Sequence, residues 1–111
     1  MRTINIHESS VALDDEGYLL DLSLWNEALA EHLAHEEGIK LTEAHWEIIH
    51  VVRDFYNTYD LSPAMRPLVK AVKMALGETK GKSIYLMKLF PESPAKQSAK
   101  IAGLPKPTNC L

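Results

Sequence analysis

The chain has 111 residues, and 46% of them are hydrophobic, which is enough for one compact domain whose core needs no disulfide. The formal net charge of -3 argues against a free-standing nucleic-acid binder. No apolar run approaches the ~20 residues of a membrane span, and polar residues interrupt the N-terminal aliphatics, so we expect a cytoplasmic protein without membrane contact.

Two short segments at the N-terminus predict a β-hairpin. Residues 3–7 alternate apolar and polar side chains, and residues 11–13 form a second apolar stretch. The acidic residues 14–16 followed by Gly17 then predict a turn before Tyr18.

Two amphipathic helices are predicted next. Ser23 is a candidate N-cap for a helix over residues 24–37 that ends at Gly38. Thr42 is a candidate N-cap for the second helix, which we expect to be the central core helix. Its apolar residues recur at three- and four-residue spacing: Trp46, Ile49, Val52, Phe55, Tyr56 and Tyr59.

Three further helices complete the predicted bundle. Ser62 followed by Pro63 is typical of a helix start, and the apolar stripe then continues to a stop at Gly77. Because Pro67 removes one intrahelical hydrogen bond, either the first turn is distorted or the regular helix begins nearer residue 67. Residues 83–90 form the next helix. Residues 95–102 form the last, with Ser93 as its cap and Gly103 as its stop.

The predicted fold is therefore mainly α, a small orthogonal helical bundle with an N-terminal β-hairpin and a flexible C-terminal arm. Residues 1–103 form the domain, and residues 104–111 form the arm. Pro105 and Pro107 favour an extended path, which at ~3.3 Å per residue carries Cys110 up to about 20 Å from the helical body. Cys110 is the only cysteine of the chain, so its chemistry has to be intermolecular.

The charges are unevenly divided between the two halves of the chain. Residues 1–61 carry 13 acidic and three basic side chains, a balance of -10. Residues 62–111 carry nine basic and two acidic side chains, a balance of +7. If these lysines converge in space, their field favours a thiolate or persulfide anion on Cys110; the alternative is a solvated basic face.

Eight segments of the chain, and the cysteine that follows the last of them at the penultimate position, match a known pattern. They are Gly17-Tyr18-Leu19, His45-Trp46-Glu47, Val52-Arg53-Asp54-Phe55-Tyr56, Ser62-Pro63-Ala64, Leu68-Val69-Lys70, Leu89-Phe90-Pro91, Pro94-Ala95-Lys96-Gln97 and Lys100-Ile101-Ala102-Gly103-Leu104-Pro105-Lys106-Pro107. In these residues the chain resembles the DsrC/TusE family. The resemblance implies a helical bundle with an N-terminal hairpin, a mobile C-terminal arm, and sulfur carried on the penultimate cysteine.

The resemblance also implies which branch of the family is closer. DsrC proteins of dissimilatory sulfur metabolism have a second cysteine eleven residues before the penultimate one, and here that position is Ala99. The chain is therefore more similar to the single-cysteine TusE type. That type accepts persulfide sulfur from a TusBCD complex and passes it toward the thiouridylase MnmA, which makes 2-thiouridine in tRNA. The resemblance implies Cys110 as the catalytic residue, with no cofactor beyond sulfur carried as a cysteine persulfide.

Thiolate formation at Cys110 depends on opposing charges. The terminal carboxylate of Leu111 opposes it, whereas Lys106 favours it. An arm folded back over other cations would favour it further, the candidates being Arg53, Arg66, Lys96 and Lys100. We therefore expect a thiol of modest reactivity that a partner activates.

Two other functions stay open at this point. The helices on either side of residue 61 resemble a helix-turn-helix with Arg66, Lys70 and Lys73 facing DNA, but the negative net charge makes DNA an unfavourable partner. A dissociable DsrC-like subunit of a sulfite reductase is the other alternative.

The remaining polar and aromatic residues are expected to be structural. The spacing of His32 and His35 allows a metal site, but a solvated helix face is the better interpretation. We expect His45 and His50 to be half-buried, and Arg53 and Asp54 to pair or cap. The aromatic residues Trp25, Trp46, Phe55, Tyr56 and Tyr59 are expected to be core rather than ligand-binding.

Overall fold

The N-terminal hairpin is present as predicted in the computed structural model, which describes residues 1–108. Strands β1 (Arg2–Ile6) and β2 (Ser9–Leu13) pair antiparallel, with Ile4 opposite Val11. The turn that follows is closed by the Gly17 amide, which donates to the Asp14 carbonyl at 3.0 Å. The chain then returns along β2 through a bridge between Leu13 and Leu19.

In the described part of the chain, five α-helices follow the hairpin and confirm the mainly α fold. They are α1 (Glu27–Glu36), α2 (Glu43–Tyr59), α3 (Met65–Leu76), α4 (Ser83–Leu89) and α5 (Pro94–Ile101). Thr42 and Ser93 are the N-caps of α2 and α5, as their sequence positions predicted. Within residues 1–108, none of the helices has the length and apolar character needed to cross a bilayer.

The predicted start of the first helix is wrong. Ser23 lies in a short 3-10 turn (Leu22–Leu24), where its hydroxyl donates to the Asp21 carboxylate at 2.6 Å. The cap of α1 is Asn26, whose side chain accepts from the Leu29 amide at 2.8 Å. Trp25, between the two elements, has extended backbone angles, which release its indole from the helix to pack against α5.

The predicted cap of the third helix is also wrong. α3 begins at Met65, with Ala64 as an N-cap that has no side-chain hydrogen bond, and Pro67 is its third residue. The first backbone amides of a helix have no intrahelical acceptor, so proline costs no hydrogen bond there. Of the two expected consequences of Pro67, the later helix start is confirmed.

Helix α5 occupies the centre of the bundle and packs against each of the other four helices. Six of its eight residues are buried, and most of them are small, which allows its neighbours to approach closely. The central helix was expected to be α2, which contributes the fully buried Ile48, Ile49 and Val52. Because α5 is the last helix, the C-terminal segment leaves from the middle of the fold.

The aromatic residues are only partly core. Trp25, Trp46 and Tyr56 are partly buried against the core, as expected. Phe55 is half-buried, and Tyr59 is 60% exposed, so the expectation for Tyr59 is wrong. The rings of Phe55 and Tyr59 pack on each other with their centroids 4.6 Å apart, as residues four positions apart on one helix can do.

Candidate functional site

The candidate site is the C-terminal segment that carries the thiol. Cys110 itself lies outside the described residues, so its role stays a prediction. What the structure describes is the part of the chain that leads to it, residues 101–107, which we call the root.

The root begins with a tight helix stop. Gly103 has a φ of +73°, its amide donates to the Lys100 carbonyl at 3.1 Å, and the Leu104 amide donates to the Ala99 carbonyl at 2.9 Å. These are the two bonds of a Schellman motif, in which glycine adopts the left-handed conformation without a steric cost. The motif turns the chain back on α5 and buries Leu104, which is 3% exposed.

Two side chains from other elements hold the carbonyls of this turn. The Trp25 indole Nε1 donates to the Ile101 carbonyl at 2.9 Å, and Arg53 Nη1 donates to the Ala102 carbonyl at 2.6 Å. The guanidinium also lies 3.8 Å from the centre of the indole ring, in a cation–π arrangement. Burial lowers the pKa of Arg53 from its ordinary value, but an arginine remains charged under all ordinary conditions.

The next residues of the root are also held. The hydroxyl of Ser62, which is 4% exposed, donates to the Pro105 carbonyl at 2.6 Å. Lys106 Nζ lies 2.8 Å from the Glu16 carboxylate, and Pro107 is buried. Ser62 therefore does not cap a helix: its hydroxyl holds the C-terminal segment.

These contacts change the description of the predicted arm. The arm was expected to leave the body at residue 104, but residues 104–107 pack against the domain. The physical reason is that buried apolar side chains and paired carbonyls favour the docked chain over a solvated one. The division of the chain into a domain and an arm at residue 104 stays a prediction.

Most of the cations expected to stabilise a thiolate already have partners. Lys100 Nζ lies 3.4 Å from a Glu37 oxygen and 5.1 Å from the centre of the Tyr18 ring. Arg53 and Lys106 are held by the contacts described above. The positive charge of the second half of the chain is therefore partly offset beside the root. This arrangement supports a thiol whose activation depends on a partner.

Three exposed basic residues lie on a different element, α3. Arg66, Lys70 and Lys73 are exposed on α3, and their spacing of four and three residues places them on one helix face. The α2–α3 pair of the helix-turn-helix hypothesis is thus present as a helix pair. Among residues 1–108, these three cations make no hydrogen bond or ion pair with the root, and the comparisons below do not favour a DNA-binding function.

The histidines are structural where they are buried. His45 is 7% exposed; its Nε2 lies 2.9 Å from the Leu89 carbonyl, and its Nδ1 accepts from the Thr42 amide at 3.1 Å. Because a carbonyl only accepts, Nε2 carries the proton, and both ring nitrogens are occupied. His50 is exposed, contrary to expectation.

The possible metal site on α1 is not formed. His32 Nε2 lies 3.2 Å from a Glu36 oxygen, and Glu36 also accepts from Arg2. Among the residues described, 1–108, no group of three histidine or acidic side chains is placed to hold a metal ion. The polar helix face predicted for this region agrees with these contacts.

Sequence reasoning found Gly103 but missed the side chains that hold the root. The sequence predicted a core position for Trp25, a local pair or cap for Arg53 and a helix cap for Ser62. Their true partners are backbone carbonyls 43 to 76 residues away along the chain. No local spacing signals such contacts. Arg53 and Ser62 lie in segments shared with a known family, whereas Trp25 lies in none of them.

Comparisons with known proteins agree with this fold. Residues 5–111 match the family described as DsrC like protein. The chain is 58% identical to the sulfurtransferase TusE of Sodalis glossinidius over 93% of this chain and 95% of that one. It is 56% identical to a sulfurtransferase TusE homolog of Haemophilus influenzae, over 97% and 99% of the two chains.

Solved structures show the same fold. The NMR structure of Allochromatium vinosum DsrC has a TM-score of 0.89 and 47% identity, covering 98% of this chain and 97% of that one. The oxidized gamma-subunit of dissimilatory sulfite reductase (DsrC) from Archaeoglobus fulgidus has a TM-score of 0.86 and 39% identity, covering 99% and 100% of the two chains. From its matched residues, its identity to these relatives and its architecture, the chain belongs to the DsrC/TusE family.

Proposed function

We propose that this protein is a sulfurtransferase that accepts persulfide sulfur on Cys110 and passes it on for 2-thiolation of the wobble uridine in tRNA. The observation that carries the proposal is the position of the only cysteine, penultimate and directly beyond the docked root, in a chain 58% identical to a sulfurtransferase TusE. Sulfur is carried as a cysteine persulfide, and no other cofactor is required.

The transfer is a pair of thiol–disulfide-type exchanges. The Cys110 thiolate attacks the outer sulfur of a donor persulfide; a new S–S bond forms at Cys110, and the donor cysteine leaves as a thiolate. An acceptor thiolate then attacks the outer sulfur on Cys110, and Cys110 leaves as a thiolate. No electrons are gained or lost overall.

The absence of a second thiol favours this relay over the other sulfur chemistry of the family. Position 99 carries alanine, which is fully buried in α5, and Cys110 has no cysteine partner anywhere in the sequence. An internal disulfide or trisulfide is therefore unavailable. A second thiol near a persulfide would also attack it and release sulfide, so a single thiol protects the cargo. A sulfite-reductase subunit is accordingly not favoured.

The proposed partners are a TusBCD-like donor complex and a MnmA-like thiouridylase with bound tRNA, and the proposed location is the cytoplasm. Since Lys100 and Lys106 are paired with carboxylates of the protein, their field at the thiol is reduced, and in this proposal the partner supplies the activation of the thiol. An apparent pKa of Cys110 below about 6 in the isolated protein would contradict partner activation, because an unperturbed cysteine titrates near 8.5.

Mass spectrometry after incubation with a persulfide donor tests the proposal. We expect an adduct of about 32 Da, one sulfur atom, on Cys110, and its loss when thiouridylase and tRNA are added. Cys110→Ser should fold normally and carry no sulfur, because replacing a thiol at a chain end has little effect on stability. Full transfer by the Cys110→Ser protein would refute the proposal.

A further inference from the structure

The docked root limits how far Cys110 can travel. From Leu104, six residues of extended chain reach up to about 20 Å; from Pro107, three residues reach at most about 11 Å. Which of these lengths applies during transfer depends on whether the root stays in place. The contacts of the root bear directly on that choice.

Undocking the root would break several contacts at once. Ser62 would lose the Pro105 carbonyl as the acceptor of its hydroxyl. Leu104 and Pro107, both buried, would be exposed to water. The two prolines restrict the unbound chain, so docking the root loses less conformational entropy than it would for a flexible segment.

The elements that hold the root are distant from one another in the sequence. Ser62 lies between α2 and α3, and Glu16 lies in the turn after β2. Both contacts lie on the side of the Schellman turn that leads toward Cys110. They hold the chain at Pro105 and Lys106, next to the thiol-bearing end, and thus determine where its short free length begins.

We infer that sulfur transfer takes place with the root docked, so that the acceptor protein brings its reactive cysteine to the surface beside Glu16 and Lys106, the exposed ion pair of the docked root. Ser62 is then a positioning residue for the transfer. The reactive cysteine of the partner then has to lie within about 11 Å of Pro107, because the chain beyond Pro107 reaches no further. A docked root also raises the effective concentration of the thiol at the partner's cysteine.

The test compares sulfur transfer to a protein with transfer to a small thiol. Ser62→Ala and Glu16→Ala, singly and together, loosen the root without altering Cys110 or Lys106. Thr58→Ala is the matched control, since it removes a hydroxyl that donates to the Asp54 carbonyl at 3.0 Å in α2, away from the root. The probes are dithiothreitol and a MnmA-type thiouridylase with unmodified tRNA.

We expect loading of Cys110 and its discharge by dithiothreitol to stay unchanged in all variants, because a small thiol needs no positioned chain. Transfer to the thiouridylase should fall by about threefold to tenfold in the root variants, the effect of one lost side-chain hydrogen bond on an equilibrium, and not in Thr58→Ala. Amide hydrogen exchange at Leu104 should accelerate in the same variants.

Three results would overturn the inference. Faster transfer in the root variants would mean that undocking, with its longer reach, is part of the reaction. Unchanged transfer would mean that the root has no positioning role. Slower transfer without faster exchange at Leu104 would assign the loss to another cause. The inference rests on the proposed relay function, whose own failure is distinct: the unaltered protein would then show no sulfur adduct on Cys110.

Discussion

Replacing Gly103 by alanine tests whether the Schellman turn and Trp25 hold the root together. A Cβ atom at this position would lie 2.3 Å from Trp25 Cδ1 and 2.7 Å from Cγ, well inside van der Waals contact. The indole would have to move, and it would weaken both its hydrogen bond to Ile101 and its contact with Arg53.

Gly38 provides a matched control for the backbone conformation. It ends α1 with a φ of +74°, and its amide and that of Ile39 donate to the His35 and Ala34 carbonyls in the same Schellman pattern. No atom lies within 4 Å of a Cβ built there. Gly38→Ala therefore carries only the left-handed strain of about 1–2 kcal/mol. Gly103→Ala adds an overlap that costs about 1–3 kcal/mol.

Urea unfolding followed by circular dichroism measures the two variants side by side. The free energy of unfolding should be about 2 kcal/mol lower for Gly103→Ala than for Gly38→Ala, which lowers the midpoint by about 1 M. Equal destabilisation of the two variants would refute the reasoning, because backbone strain alone would then account for both.

Two further predictions concern side chains away from the root. His45→Ala should lower the free energy of unfolding by about 2–4 kcal/mol, because it removes packing and the hydrogen bonds to Leu89 and Thr42. The folded variant should still accept sulfur on Cys110. Loss of this loading would indicate that His45 has a chemical role. The Arg2 guanidinium lowers the pKa of Glu36 in the folded protein. The Arg2–Glu36 pair therefore stabilises the fold at any pH above the ordinary carboxyl pKa. This stabilisation is lost as the pH falls through the pKa that Glu36 has in the folded protein. In urea unfolding, Arg2→Gln should therefore cost less than about 1 kcal/mol at pH 7, and the cost should disappear in acid once the Glu36 carboxyl is protonated; a cost that persists there would contradict this.

Residue type and position predicted the helix ends correctly where the residue acts on its own turn of the helix. Thr42, Ser93 and Gly103 sit at helix ends because their side chains or backbone freedom satisfy the nearest turn. Ser23 and Ser62 carry the same signal and failed. In both cases the hydroxyl is used elsewhere, by the Asp21 carboxylate and by the Pro105 carbonyl.

The sequence alone determined the helical periodicity, the hairpin, the single thiol at the penultimate position and the alanine at position 99. Each of these is a matter of residue type and spacing, which a chain carries before it folds. Only the tertiary structure decided that the root is docked. Its contacts join residues 43 to 90 positions apart, from Ser62 to Pro105 and from Glu16 to Lys106. Such contacts exist only once α5 has packed at the centre of the bundle.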